Sequence, residues 1–364
     1  MNGAHLFVPM LHRNDAVGKH TLAVRDALVA AGVPSQIFTD RPDSQTVGET
    51  RPYLDYEKLS DPEDVLIYQL ATDSEMAVWL SGRSERLVLN HHSITPPACF
   101  ASWNNAIARL QTGALQRLEV LAPRAVLGVA DSEFNAAELR SAGCRNTTVV
   151  PVAGISVPPV DPGPDLIERV RAGQGGPGPH WLSVGRWAPN KAHHDTLAAL
   201  FVARATTEPH ATLTLVGSAT EPAYAGALRR YAAALGLGDA VEFVAGISDA
   251  ELAARYRCAD VLVMLSDHEG FGVPLVEAMG QGTPIVAFDA GAVGEVMDGG
   301  GVLLQEKHPR AVAGAVSQLL SDRPRRDRLV EAGRQRFDAL GLDRAANRLV
   351  EALGHLGAPT GAPS

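Results

Sequence analysis

A chain of 364 residues exceeds what one ordinary hydrophobic core organises and fits two domains. With 46% hydrophobic and 20% charged residues it is globular in character, and its formal charge of −9 disfavours a duplex nucleic-acid binder, which needs a basic face to neutralise phosphates. The opening MNGAHLFVPMLHRND lacks the basic start and long apolar run of a secretory leader, and no stretch reaches the roughly 18 apolar residues of a membrane-spanning helix, so a cytoplasmic location is expected.

Short apolar runs alternate with helix-like stretches along the chain. HLFVPML precedes a helix predicted from Lys19 to Ala31, stopping at Gly32. SQIFT, DVLIYQL and RLVLNHH follow, then a long helix-like stretch from Phe100 to Leu121, AVLGVA, a helix after Ser132, and TTVVPV. Residues 156–179 break the rhythm: SVPPVDPG and GQGGPGP surround a short helical piece, the composition of a connection between domains. The alternation restarts with HWLSVG and continues through helices from His193, Ala223, Asp249 and Pro274, set between ATLTLVG, AVEFVAG, DVLVMLS and TPIVAF. Strands alternating with helices predict an α/β chain of two Rossmann-like domains with parallel sheets, which bind ligands at the carboxyl ends of their strands. The expected divisions are a first domain over 1–160, a linker over 161–179, a second domain over 180–342, a last helix over 343–356 returning to the first domain, and a disordered tail over 357–364. Cys99, Cys144 and Cys258, odd in number and far apart, read as free thiols.

Several motifs fail on inspection. Gly173-x-Gly175-x-x-Gly178 has the letters of a dinucleotide loop but follows no strand, and Pro177 and Pro179 disfavour a helix there. No Asp-x-Asp pair and no Cys/His cluster of zinc spacing occurs, so neither a metal nor a cofactor is expected.

The most informative string runs from Asp267 to Ala278, after the apolar DVLVMLS. Pro274 suits the first turn of a helix, where its missing N–H costs nothing. The glycines before it let backbone approach a ligand, and the helix start offers N–H groups and a partial positive charge, a seat for a diphosphate. Glu269 lies in the loop and Glu277 about one turn into the helix, facing different parts of an elongated ligand. Taken singly, Glu277 also fits a carboxylate favoured by the helix dipole, and Glu269 a surface loop residue. A second piece, Gly185-Arg186-Trp187-Ala188-Pro189-Asn190-Lys191, follows HWLSV and puts two cations at a strand's carboxyl end. Alone, these read more readily as two solvated surface cations; beside the glutamate string they suit a diphosphate leaving group.

The two pieces resemble the donor-site motifs of glycosyltransferase family 4, retaining enzymes of the GT-B fold, in which two Rossmann-like domains face each other across a cleft. The resemblance extends from DAVGKHTLAVRDAL through DSEFNAAELRSAG to GTPIVAFDAGAVGEV, and its E-x7-E string is the most specific part. It implies that Arg186 and Lys191 bind the donor diphosphate and that Glu269 lies near the donor sugar. The amides of Gly270, Phe271, Gly272 and Val273 would hold sugar hydroxyls and phosphate, Glu277 the ribose, and Gly246 would lie at the nucleobase. The first domain departs from the pattern: where the family has a glycine-rich loop, Asp15-Ala16-Val17-Gly18 keeps one glycine. Gly18 is then the candidate contact to the donor phosphate and Asp15 the candidate acceptor-side group. Asn90-His91-His92 resembles the family's first-domain histidine segment, with His92 as the counterpart, although a histidine at a strand end is as readily structural.

The resemblance implies a metal-independent transfer of a hexosyl unit, with retention, from a UDP- or GDP-linked sugar to an acceptor hydroxyl. The setting would be glycan, glycolipid or glycoconjugate biosynthesis. Lys191→Ala is expected to cost transfer far more than stability. A nucleotide-sugar epimerase of the same fold and a non-catalytic nucleotide-sugar binder are the alternatives. Arg109 and Arg117 in the 100–121 stretch fit either peripheral contact with the inner membrane face or plain solvated charge.

Overall fold

The computed structural model describes residues 1–13, 15–41, 46, 48–156, 159–174 and 176–357. Gly175 of the glycine pattern and the tail from 358 lie outside the described residues. The chain divides into two compact units, the first comprising 1–97, 106–155 and 341–364, the second 98–105 and 156–340.

The first unit is built on a seven-stranded sheet: β1 (Ala4–Met10), β2 (Ile37–Arg41), β3 (Thr50–Pro52), β4 (Val65–Leu70), β5 (Arg86–His91), β6 (Leu127–Ala130) and β7 (Thr147–Val149), in the order β3-β2-β1-β4-β5-β6-β7. The second holds six strands: β8 (His180–Val184), β9 (Thr212–Val216), β10 (Val241–Val244), β11 (Val261–Met264), β12 (Ile285–Phe288) and β13 (Val302–Leu304), in the order β10-β9-β8-β11-β12-β13. Every pairing is parallel. Parallel strands covered on both faces read as unbroken apolar runs; β4 (VLIYQL) and β11 (VLVM) are buried at every residue. In each sheet the order reverses once, between β1 and β4 and between β8 and β11.

Several boundaries differ from the sequence reading. The first helix runs Ala16–Ala30, three residues earlier at its start than predicted, because Asp15 caps it by accepting the Gly18 amide. The long helix begins at Asn105, not Phe100. Residues 98–105 instead belong to the second unit, where the Asn104 amide donates to Glu221 at 3.0 Å and Trp103 meets Tyr224 edge-on. The stretch expected as linker is part of the second unit as well. Its helix Pro164–Gly173 packs against the helix Asp249–Cys258, with the Cys258 thiol 3.5 Å from the Ile167 carbonyl and Arg257 paired with Asp161. Apolar runs do not signal the polar edge strand β3 or the charged helix Arg323–Leu340.

The chain passes back to the first unit at Gly341. There the helix Ala345–Gly354 lies on Ala16–Ala30, and Leu349 and Leu353 join Val24 and Leu28 in one core. The three cysteines are free thiols. Among the described residues no helix is long and apolar enough to cross a membrane.

Buried histidines give each unit an acid sensitivity. Burial lowers His20 in the first unit to about 3, and lowers His180 and His193 in the second to about 4. These rings are neutral in the fold, while the unfolded chain protonates near 6.5, so their contribution is intact above that pH and is lost as pH falls toward 4. Burial lowers His5 in the first unit as well, so denaturant melts between pH 6.5 and 4 should show both units losing stability, by up to about 1.4 kcal/mol per pH unit for each ring. Leu349→Ala should lower the stability of the first unit by about 2–5 kcal/mol in the same melts, since it empties a fully enclosed site.

Candidate donor-binding site

β8 ends at Val184, and the next residue, Gly185, at φ 151°, carries the chain out of the sheet. A Cβ at Gly217, beyond β9, would fall 1.9 Å from the Gly185 carbonyl oxygen, so only glycine permits this approach. Trp187 N–H donates to the Ser218 carbonyl at 2.8 Å, and a 3-10 turn over Pro189–Lys191 leads through Ala192, at φ 48°, into the helix His193–Thr206. Lys191 thus leaves the tip of a tightly folded loop, with its aliphatic stem across Gly185.

The loop after β11 carries Glu269, which is 6% exposed. Its Oε1 accepts from Lys191 Nζ at 2.6 Å. The two loops are also joined through backbone, the Asp267 amide donating to the Asn190 carbonyl at 2.8 Å. Lys307 ties them again by binding Asp267 and, at 2.8 Å, Asp195 in the first turn of His193–Thr206. The Ala292 amide donates to the Glu269 carbonyl at 2.9 Å, beside Gly291, where φ is 62° and a Cβ would lie 2.2 Å from that oxygen. Neither residue of the ion pair is a solvated surface charge: the Lys191 and Glu269 side chains are 16% and 7% exposed. The expectation that Lys191→Ala spares stability is therefore corrected, because removing the cation leaves a buried carboxylate without its partner. Arg186, by contrast, is exposed, and among the described residues its guanidinium makes no ion pair.

Gly272, at φ 84° and ψ 57°, caps the helix Val273–Gln281, with Pro274 in its first turn. Phe271 is buried, so the backbone rather than the ring is what this segment offers. Glu277, on the same helix, accepts from the Tyr256 hydroxyl at 2.8 Å. Gly246 follows β10 on an exposed loop with φ 70°.

In the first unit the candidate residues are committed elsewhere. The Gly18 amide donates to Asp15 Oδ1 at 2.6 Å, so Gly18 lies inside the helix and its N–H is taken. A Cβ there would meet the His12 carbonyl oxygen at 1.7 Å, which explains the glycine without any phosphate. Asp15 acts as a helix cap, with one carboxylate oxygen occupied. His92 is a buried ring with both nitrogens engaged, Nδ1 to Asp131 at 2.9 Å and Nε2 to Gln69 at 2.6 Å, which leaves no ring nitrogen for a sugar hydroxyl in this arrangement. Asp131 opens the DSEFNAAELRSAG segment of the resemblance, whereas Gln69, Lys307 and Tyr256 carry no sequence motif. A lone polar residue in an apolar run, such as Gln69 within VLIYQL, is the only signal any of them offers.

The comparisons with known proteins bear on the second unit above all. Residues 168–336 match the family model described as glycosyl transferases group 1. D-inositol 3-phosphate glycosyltransferase of Geodermatophilus obscurus is 31% identical over 238 residues, covering 64% of this chain and 52% of that protein, so the match spans about half the length of this relative. Sucrose-phosphate synthase from Thermosynechococcus elongatus superposes with a TM-score of 0.75 at 21% identity, over 97% of this chain and 99% of that one. HepE from Anabaena, solved in complex with UDP and glucose, gives 0.73 at 20% identity over 96% and 99%. The whole chain thus has the α/β architecture of solved GT-B glycosyltransferases, with two parallel sheets. Lys191, Glu269 and Glu277 all fall within the segment that matches this family model.

Proposed function

We propose that this chain is a retaining glycosyltransferase that moves a hexosyl unit from a nucleoside-diphosphate sugar to an acceptor hydroxyl, without a metal ion or cofactor. The observation that carries the reading is the Lys191–Glu269 pair, formed by the loops that leave β8 and β11. These are the strands between which the order of the second sheet reverses, and ligands of open α/β sheets bind outside the carboxyl ends of strands at such a reversal.

Each group has a part in this reading. Lys191 and the exposed Arg186 hold the diphosphate, together with amides of the Gly270–Val273 segment at the helix start. Glu269, fixed by Lys191, orients the sugar hydroxyls. Glu277 accepts from the ribose, and the Gly246 loop borders the base. The donor is a UDP- or GDP-sugar; that HepE from Anabaena was solved with UDP and glucose supports the uridine form. The bond from C1 to the diphosphate oxygen breaks as the acceptor oxygen bonds C1 from the same face, and the acceptor's proton passes to the departing phosphate oxygen. Preorganised cations at the leaving oxygens carry the developing charge. Asp15, Gly18 and His92 take structural parts in the first unit rather than contacts to substrate. The setting proposed is glycan, glycolipid or glycoconjugate synthesis in the cytoplasm, with the inner membrane face as an alternative.

The pair separates stability from chemistry. Lys191→Met should cost about 3–5 kcal/mol in denaturant melts, because it strands the Glu269 carboxylate. Lys191→Met with Glu269→Gln should recover most of that loss, while transfer stays about 10²–10³-fold down. A double variant that transfers sugar normally would remove both residues from the chemistry. In a thermal-shift screen UDP or GDP at about 100 times its Kd should stabilise the chain by about 2.7 kcal/mol, and no response to either at millimolar concentration would overturn the donor assignment. Product analysis with donor alone distinguishes transfer from epimerisation, which would yield an isomeric sugar nucleotide with no acceptor present.

A further inference from the structure

Tyr256 is a large side chain with 1% exposure, in the middle of the second unit. Phenylalanine would fill the same core without bringing a hydroxyl that must find a partner. Here the hydroxyl donates to Glu277 Oε2 at 2.8 Å. A second bond fixes the same two helices: the Tyr256 carbonyl accepts from the Thr283 hydroxyl at 2.8 Å. Thr283 is buried and directly follows Gly282, the left-handed cap that ends the helix of Glu277. The helices Asp249–Cys258 and Val273–Gln281 are thus pinned at two points, and one of them is the carboxylate itself.

The geometry has a direct chemical consequence. A glutamate on a helix surface turns about three side-chain torsions, the last of them broad. A phenol held in the core and donating to one carboxylate oxygen removes that freedom and gives the group a fixed plane. The phenol donates one hydrogen bond to one carboxylate oxygen, and a carboxylate carries several acceptor positions on its two oxygens. Burial and the neighbouring Glu277 both push the Tyr256 phenol well above its ordinary range, which keeps the proton on the tyrosine.

We propose that Tyr256 is a positioning residue that aims the Glu277 carboxylate at the ribose, and that it thereby makes the site select nucleotides carrying a ribose diol. This rests on the reading of Glu277 as the ribose ligand.

Calorimetric titration of the full chain with UDP and with GDP, each against its 2′,3′-dideoxy form, tests the two layers separately. The wild-type chain should bind the ribose form of its preferred nucleotide about 10–100-fold more tightly than the dideoxy form. Equal affinities, or binding of neither nucleotide, would overturn the Glu277 reading and the proposal with it. If the wild-type chain discriminates, Tyr256→Phe should reduce that ratio about 3–30-fold, acting on the ribose form and sparing the dideoxy form. In steady state the donor KM should rise with kcat unchanged. Equal loss for both forms would mark Tyr256 as a purely structural residue, and an unchanged ratio would show that Glu277 aims itself; either overturns the proposal. Glu277→Gln and Glu277→Gln with Tyr256→Phe complete the cycle. In the glutamine background Tyr256→Phe should leave the ratio unchanged, and a further drop there would count against coupling through this carboxylate.

Discussion

A lysine and a glutamate in contact away from water form a demanding arrangement. Each charge gives up hydration, and their attraction offsets that loss only when the geometry is held closely. The pair of Lys191 and Glu269, 2.6 Å apart, therefore depends on how firmly two separate loops are joined. The Asp267 amide binds the Asn190 carbonyl, and Lys307 bridges Asp195 and Asp267. The Glu269 carbonyl is held by Ala292 beside a glycine that no other residue could replace without displacing that oxygen. Each bond constrains a different part of the loops, and together they keep the charges facing each other before any ligand arrives. Preorganisation of this kind is what an electrostatic site needs, because reorienting dipoles during the reaction would cost much of their effect.

The same logic extends one layer outward. Gly185 and Gly217 let the ends of β8 and β9 approach closely, which sets where the Lys191 loop begins. Tyr256 and Thr283 set the register of the helix that carries Glu277. Buried His193, bonded to Ser183 at 3.2 Å, lies at the start of the helix that follows Lys191. Charged and polar groups are thus concentrated at the carboxyl ends of β8 and β11, while β11 itself is wholly apolar.

The first unit shows how a motif can be satisfied internally. His92, Asp131, Gln69, Asn90 and His20 form a continuous buried hydrogen-bonded series. His20 in turn accepts from the Ala153 amide at 3.0 Å, tying the first helix to the segment after β7. Among the described residues Gln69 Nε2, Asn90 Oδ1 and Asp131 Oδ1 in this series are buried without a hydrogen-bond partner. The histidine at the strand end, a candidate ligand in the sequence, has both ring nitrogens hydrogen-bonded within the first unit.

What the sequence determined by itself follows from periodicity and local chemistry. Continuous apolar runs of strand length alternating with amphipathic stretches specify parallel sheets, because strands covered on both faces and their covering helices differ in period. The loop glycines, Pro274 and the spacing of Glu269 to Glu277 are local signals, and each residue lies in the loop or helix its neighbours indicate. Tertiary structure decided whatever depends on meetings across the chain: that Lys191 reaches Glu269, that Tyr256 reaches Glu277, that Asp131 and Gln69 occupy both nitrogens of His92. It also decided that residues 161–179 pack as part of the second unit and that 98–105 join it. Such contacts link residues tens of positions apart and are selected by the packing of whole helices and sheets. Residue type says what a side chain can bind, and only the fold says which partner is within reach.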